Sequence, residues 1–182
     1  LSRQCPVPLN LEMAANIQML KLARKYKPAW ACFVPESRKE LTTEGGLNVK
    51  KGQKNIGAIA EKLQTLGIEI SMFIEPSIEQ VKASFKVGAD AVEFHTGKWV
   101  HLKGSKRQTE WKRLCEASEL AHDLGMNVHA GHGLDFETSM LITQLPHLEE
   151  VNVGHSIICY ALEYGIEKTV SMMKKILQGQ KI

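Results

Sequence analysis

Residues 110–133 read EWKRLCEASELAHDLGMNVHAGHG, and the succession of textures along them decides the fold. Trp111, Leu114, Cys115, Ala121 and Leu124 recur at the spacing of one helical face, and Gly125 stands where a helix commonly ends in a left-handed residue. Met126 to Ala130 then form a short apolar run of strand character, closed by His132 between Gly131 and Gly133. A helix, a glycine, a buried strand and a polar turn make one step of a βα repeat.

The same grammar recurs outward from this stretch. IAEKLQTLGI closes its helix at Gly67 and IEQVKASFKVGA at Gly88, each just before another apolar run. Six strands are predicted, over Val7 to Leu11, Ala29 to Val34, Ile68 to Ile74, Ala91 to His95, Met126 to Ala130 and Glu150 to Val153, each followed by a helix. The last helix is predicted over Tyr160 to Leu177, with Ile166, Val170, Met173 and Ile176 or Leu177 toward a core. No linker or low-complexity stretch divides the chain, so residues 1–182 read as one domain.

Parallel strands joined by helices form either an open doubly wound sheet or a closed barrel. An open dinucleotide-binding sheet calls for a G-x-G-x-x-G turn after its first strand, and none is found there. Polar groups instead end nearly every strand: Glu12 after the first, Pro35 and Glu36 after the second, Glu75 after the third. Glu93, His95 and Thr96 stand at the fourth, His132 after the fifth, and Gly154 with His155 after the sixth. Such a ring suits the mouth of a (β/α)8 TIM barrel with extra helices. Six units fall two short of eight, so the expectation is a barrel whose two N-terminal units are missing from this chain.

Composition narrows the function. A chain of 182 residues that is 43% hydrophobic can build one packed core, and its net charge of +3 comes from dispersed lysines, which gives nucleic-acid binding no support. Cys5, Cys32, Cys115 and Cys159 lie far apart, which argues against a disulfide framework or a zinc set and makes a reducing cytoplasm the simplest context. No apolar run approaches the roughly 20 residues of a membrane helix. His129-x-x-His132 is the nearest approach to a metal pair, but strand positions three apart face opposite ways, and no metal is expected. His101, His122 and His147 read as surface or packing residues.

Three features carry chemistry. EEVNVGHSII runs from a strand into a helix, so the amides near Gly154, His155 and Ser156 can lie at a helix N-terminus and hold an anion; a tight turn needing glycine for its backbone reads Gly154 equally well. Glu12 and Glu93, near strand ends, can face a pocket and have their pKa raised by burial toward general-base work, or can pair with lysines. VPESRKELTTEGGLNV, residues 34–49, is a long connection that serves as a substrate lid or as a solvated surface loop, and it is not a Walker A loop.

Taken together, NLEMA, VPESRKELTTEGGL, SMFIEP, VEFHTG, AGHGL and NVGHSII, in this order and spacing, resemble the pyridoxine 5'-phosphate synthase family from about Asn10 to Leu177. The resemblance implies a (β/α)8 barrel that condenses 3-amino-2-oxopropyl phosphate with 1-deoxy-D-xylulose 5-phosphate, releasing inorganic phosphate and water. It implies Glu12 as a proton acceptor, His132 as a proton donor and Glu93 as a stabiliser of transition-state charge. Thr42 would bind the deoxyxylulose phosphate, and Gly133, Gly154 and His155 the aminoketone phosphate. The substrate's own amine forms the imine, so neither a Schiff-base lysine nor a cofactor is implied, and the family suggests a homo-oligomer, an octamer. Its two N-terminal strands carry an Asn-x-Asp-His and a His-x-Arg-x-Asp-x-Arg-x-x motif that this sequence lacks. Ser37 replaces the usual Lys after VPE, His129 the Asn common before AGHG, and Lys98-Trp99 follow HTG, departures that bear on affinity more than on reaction type. Another sugar-phosphate barrel, an aldolase or isomerase, and a noncatalytic remnant are the alternatives.

Overall fold

The computed structural model describes residues 4–35 and 45–180. In chain order these form β1 (Asn10–Met13), α1 (Ile17–Tyr26), β2 (Trp30–Phe33), α2 (Val49–Gln64), β3 (Glu69–Ile74), α3 (Ile78–Lys86) and β4 (Ala91–His95). Then come α4 (Gly97–His101), α5 (Gly104–Asp123), β5 (Asn127–Gly131), α6 (Phe136–Ile142), β6 (Leu148–Asn152), α7 (His155–Tyr164) and α8 (Ile166–Leu177). All six strands pair in parallel in the order β1-β2-β3-β4-β5-β6. Because each crossover links sequence neighbours with the same hand, the helices gather on one face of the sheet.

Strand alternation divides the side chains between the two faces. Phe33, Met72, Val92 and Val128 share one register row and are fully buried, as are Ile74, Phe94 and Ala130 one row higher. They pack in one apolar cluster with Leu63, Val81, Leu114 and Ile142 from the helices. Each such large side chain contributes about 1.5–3 kcal/mol through burial. The opposite face carries Cys32, Ser71, Glu93 and His129, polar groups that no apolar helix could cover. That face is concave: the rings of Trp30 on β2 and His129 on β5 meet edge-on at 5.6 Å, although three strand spacings separate their strands, about 14 Å if the sheet were flat.

The six expected strands all form, curled into part of a barrel, with β1 and β6 at the edges of the sheet formed by the described residues. The main departures of the elements from the sequence expectations are two. The first strand begins at Asn10 rather than Val7, since Pro6 and Pro8 have no N–H to give a ladder; the carbonyl of Leu9 starts the pairing by accepting from Ala29 and Trp30. The final helix is two helices, α7 and α8, because Gly165 at φ 81° and ψ 151° breaks the helical path. Ile166 and Val170 are consequently exposed, while Met173 and Ile176 are buried as expected. His101, read as a surface or packing residue, lies exposed on the short helix α4. The glycines read as helix ends, Gly67, Gly88 and Gly125, all have positive φ, near 77°.

Candidate active site

A cavity of ≈ 820 Å³ opens at the carboxyl ends of the strands, and Glu12, Glu93, His132, Gly133, Gly154 and His155 all line it. Every predicted site residue within the described part of the chain thus reaches one space. Thr42, like Ser37, lies outside the described residues.

The two carboxylates differ sharply. Glu93 sits in the middle of β4 with 5% exposure, whereas Glu12, inside β1 rather than past its end, is exposed. Burial pushes the Glu93 carboxyl up to about 7, and the charges of Glu12 and Glu150 add to that, against a hydrogen bond that favours ionisation. Cys32 Sγ gives that bond, donating to Glu93 Oε2 at 3.4 Å. Gly131 makes the position possible, since a β-carbon there would collide with Glu93 Oε1 and crowd Asn152. The first glycine of AGHG is therefore a packing requirement of the glutamate on the next strand.

His132 follows β5 with φ 75°, and Gly133 continues at φ 80°. This left-handed step turns the chain out of the sheet and leaves both residues exposed at the mouth. Thr96 fixes the turn by donating its hydroxyl to the carbonyls of Gly131 (2.8 Å) and His132 (2.7 Å). The neighbouring turn is stitched to it: Ser156 Oγ donates to the Leu134 carbonyl at 2.6 Å. Gly154 is the N-cap of α7 and supplies no side-chain cap, so the first amides of a ten-residue helix, beginning at His155, face the mouth beside Gly133.

Phe73, His101 and Asn152 also line the cavity and were missed. Asn152 was within reach, since it shares the inward parity of Glu150 and pairs with Gly131; His101 was not, because the single turn of α4 has no periodic signal. His129, which stands where the family commonly has Asn, is buried on the concave face in register with Glu93 but does not line the cavity. Among the described residues no three His, Cys, Asp or Glu side chains converge as a metal-holding group, and no helix is long and apolar enough to cross a membrane.

A curled parallel sheet that gathers carboxylates, an imidazole and a helix N-terminus around a cavity at the carboxyl ends of its strands has the architecture of a (β/α)-barrel enzyme. The chain belongs to the family described as Pyridoxal phosphate biosynthesis protein PdxJ, which it matches over residues 1–179. It is 68% identical over 178 residues to pyridoxine 5'-phosphate synthase of Bdellovibrio bacteriovorus, covering 98% of this chain and 74% of the relative. The synthase of Prochlorococcus marinus strain MIT 9515 is 44% identical over 169 residues, covering 93% and 71%. The fold also resembles the solved tryptophan synthase A-subunit of Pyrococcus furiosus, with a TM-score of 0.61 at 19% identity, covering 97% of this chain and 69% of that one.

Proposed function

We propose that the protein is a pyridoxine 5'-phosphate synthase that condenses 3-amino-2-oxopropyl phosphate with 1-deoxy-D-xylulose 5-phosphate in the ≈ 820 Å³ cavity, releasing phosphate and water. The observation that carries this reading is the convergence of Glu12, Glu93, His132, Gly133, Gly154 and His155 on that one space. Ring formation needs several proton transfers at adjacent atoms, which a carboxylate and an imidazole can exchange in turn. Glu12, open to solvent, takes protons and His132 gives them. Glu93, with a pKa of about 7, is protonated in a large fraction of molecules near neutrality and can donate a hydrogen bond to an oxygen gaining negative charge.

The amides at Gly133 and at the start of α7 form the seat for the phosphate of the aminoketone, with His155 beside them, while Thr42 binds the deoxyxylulose phosphate. The reaction runs in the cytoplasm, by a homo-oligomer, and needs no cofactor in this reading. Supplying full-length protein with both substrates and following pyridoxine 5'-phosphate by chromatography tests it. Turnover requiring both substrates is expected; a folded protein that consumes neither overturns it.

A further inference from the structure

Glu93 is held differently at its two oxygens. Cys32 Sγ donates to Oε2 at 3.4 Å from β2, and Cys32 is buried and stands outside the residues that line the ≈ 820 Å³ cavity. Oε1 lies over Gly131, where an added β-carbon would collide with it and stand 3.0 Å from Asn152 Cβ. Asn152 and His132, the residue after Gly131, both line the cavity. One oxygen is thus bound from behind the cavity wall, while the other lies on the side that carries the turn after β5.

The thiol is a one-way partner. Burial first, and then the charge of Glu93, push its pKa well above the usual thiol range, against the Ser71 hydroxyl of the residue opposite it in the β2–β3 register. Cys32 therefore keeps its proton while Glu93 changes charge near pH 7. An S–H group donates, whereas sulfur is a weak acceptor. The reversed bond, from a protonated Oε2 to Sγ, would exchange an oxygen acceptor for a sulfur one and leave Oε1 without a proton. Its lone pairs would then repel an oxygen gaining negative charge in the cavity.

We propose that Cys32 is a positioning residue: by donating to Oε2 it confines the carboxyl proton of Glu93 to Oε1, so that the O–H is offered on the Asn152 and His132 side of the cavity. The inference rests on the reading of Glu93 as the group that stabilises developing negative charge. When Glu93 takes up a proton through the cavity it lines, an O–H bond forms at Oε1 and the S–H bond of Cys32 stays intact; nothing is oxidised or reduced. The titratable groups that face Glu93 are Glu12 from β1, Cys32 from β2, His129 from β5, Glu150 from β6 and His132 across the cavity. Glu12 and Glu150 raise its pKa by their charge, burial favours the neutral form of His129, and β3 sets Phe73 opposite it. These groups govern how readily Glu93 holds a proton, whereas Cys32 governs which oxygen holds it.

The test is infrared spectroscopy of the full-length protein, with Cys32→Ala and Glu93→Gln to assign the bands. While Glu93 is protonated its C=O is Oε2, which accepts from the thiol. The C=O stretch that Glu93→Gln removes is therefore expected at higher frequency in Cys32→Ala, which lacks the donor. As the pH is raised through about 7, the S–H stretch that Cys32→Ala removes is expected to fall in frequency, because a carboxylate is the stronger acceptor, and to stay still in Glu93→Gln. Cys32→Ala is also expected to lower kcat about tenfold with KM within about twofold, as for a contact that serves the transition state. Any one of three results overturns the proposal: a C=O stretch at the same frequency with and without the thiol, an S–H stretch indifferent to the ionisation of Glu93, or an undiminished kcat in Cys32→Ala. If Cys32→Ala does not fold, the S–H stretch of the wild type against that of Glu93→Gln decides alone. Both bands are read without substrate, so they decide the role of Cys32 even if the wild-type protein forms no pyridoxine 5'-phosphate, an outcome that would instead sink the functional reading.

Discussion

The floor of the cavity is Glu93, packed from behind by Cys32 and Gly131 and buried with them within the strands, whereas at the rim His132, Gly133, Gly154 and His155 stand exposed where the chain leaves β5 and β6. The floor acts by withholding water: a carboxyl that would ionise in the acid range is moved to about 7 because the sheet curls around it. The rim acts by presentation, using left-handed backbone and an uncapped helix start to offer an imidazole and amides to the solvent-filled mouth. Substitutions at the floor should therefore register in stability and its pH dependence as well as in turnover, and those at the rim in turnover and affinity alone.

The largest effect is expected at the rim. His132→Ala removes the proposed proton donor and should lower kcat by about 10²–10⁴. The residue is exposed, so its loss should leave the melting temperature nearly unchanged. Steady-state kinetics with thermal denaturation checks both halves, and a large drop in melting temperature would erase the division between rim and floor.

Glu93→Gln tests the floor. The carboxyl titrates near 4.5 in the unfolded chain and near 7 when folded, so the folded state holds the proton more tightly. Below pH 4.5 both states are protonated; as pH rises to 7 the unfolded chain ionises first and stability falls, by up to about 3 kcal/mol in all. Glutamine has no such loss. The stability advantage of the variant should grow between pH 4.5 and 7 and then level off, as denaturant midpoints across that range would reveal. A difference independent of pH would show that Glu93 is not dehydrated.

Gly133→Ala should have a smaller effect, confined to the rim. The added β-carbon must accept φ 80° and approach Gly97 Cα to 3.3 Å, a strain of roughly 1–2 kcal/mol. If that strain shifts the amide away from the proposed phosphate seat, KM for the aminoketone phosphate rises roughly tenfold while kcat holds. An equal fall in kcat would place Gly133 in the chemistry instead.

The same contrast explains what was legible in the sequence. The rim lies where local patterns end, at AGHG and NVGH, and glycines beside a polar residue after an apolar run announce such turns directly. The core was legible because Met72, Val92, Val128 and their neighbours keep strand character between helices closed by Gly67, Gly88 and Gly125. The floor was not, because the meeting of Cys32 with Glu93 and the vacated β-carbon at Gly131 depend on register between strands distant in sequence. Nor could the break at Gly165 be read, since a single glycine within a helical pattern is tolerated as often as it interrupts. Glu12 fell between the two: its type was informative, but its place inside β1 rather than past its end was not.

His129 offers the finest probe of where the floor ends. It stands opposite Glu93 in the β4–β5 register, its ring edge-on to Trp30, with Nδ1 3.8 Å from Glu150 Oε1. Burial pushes its pKa down, more than the charges of Glu150 and Glu149 raise it, so the ring is neutral at pH 7 and does not offset the charge of Glu93. His129→Asn keeps a polar side chain and loses the aromatic contact, which should cost about 1 kcal/mol of stability. Because His129 lies behind the cavity wall, kcat should stay within about twofold and its pH profile should not move. A displaced profile would mean that His129 helps set the ionisation of Glu93, extending the dehydrated floor one strand further than the cavity lining alone defines it.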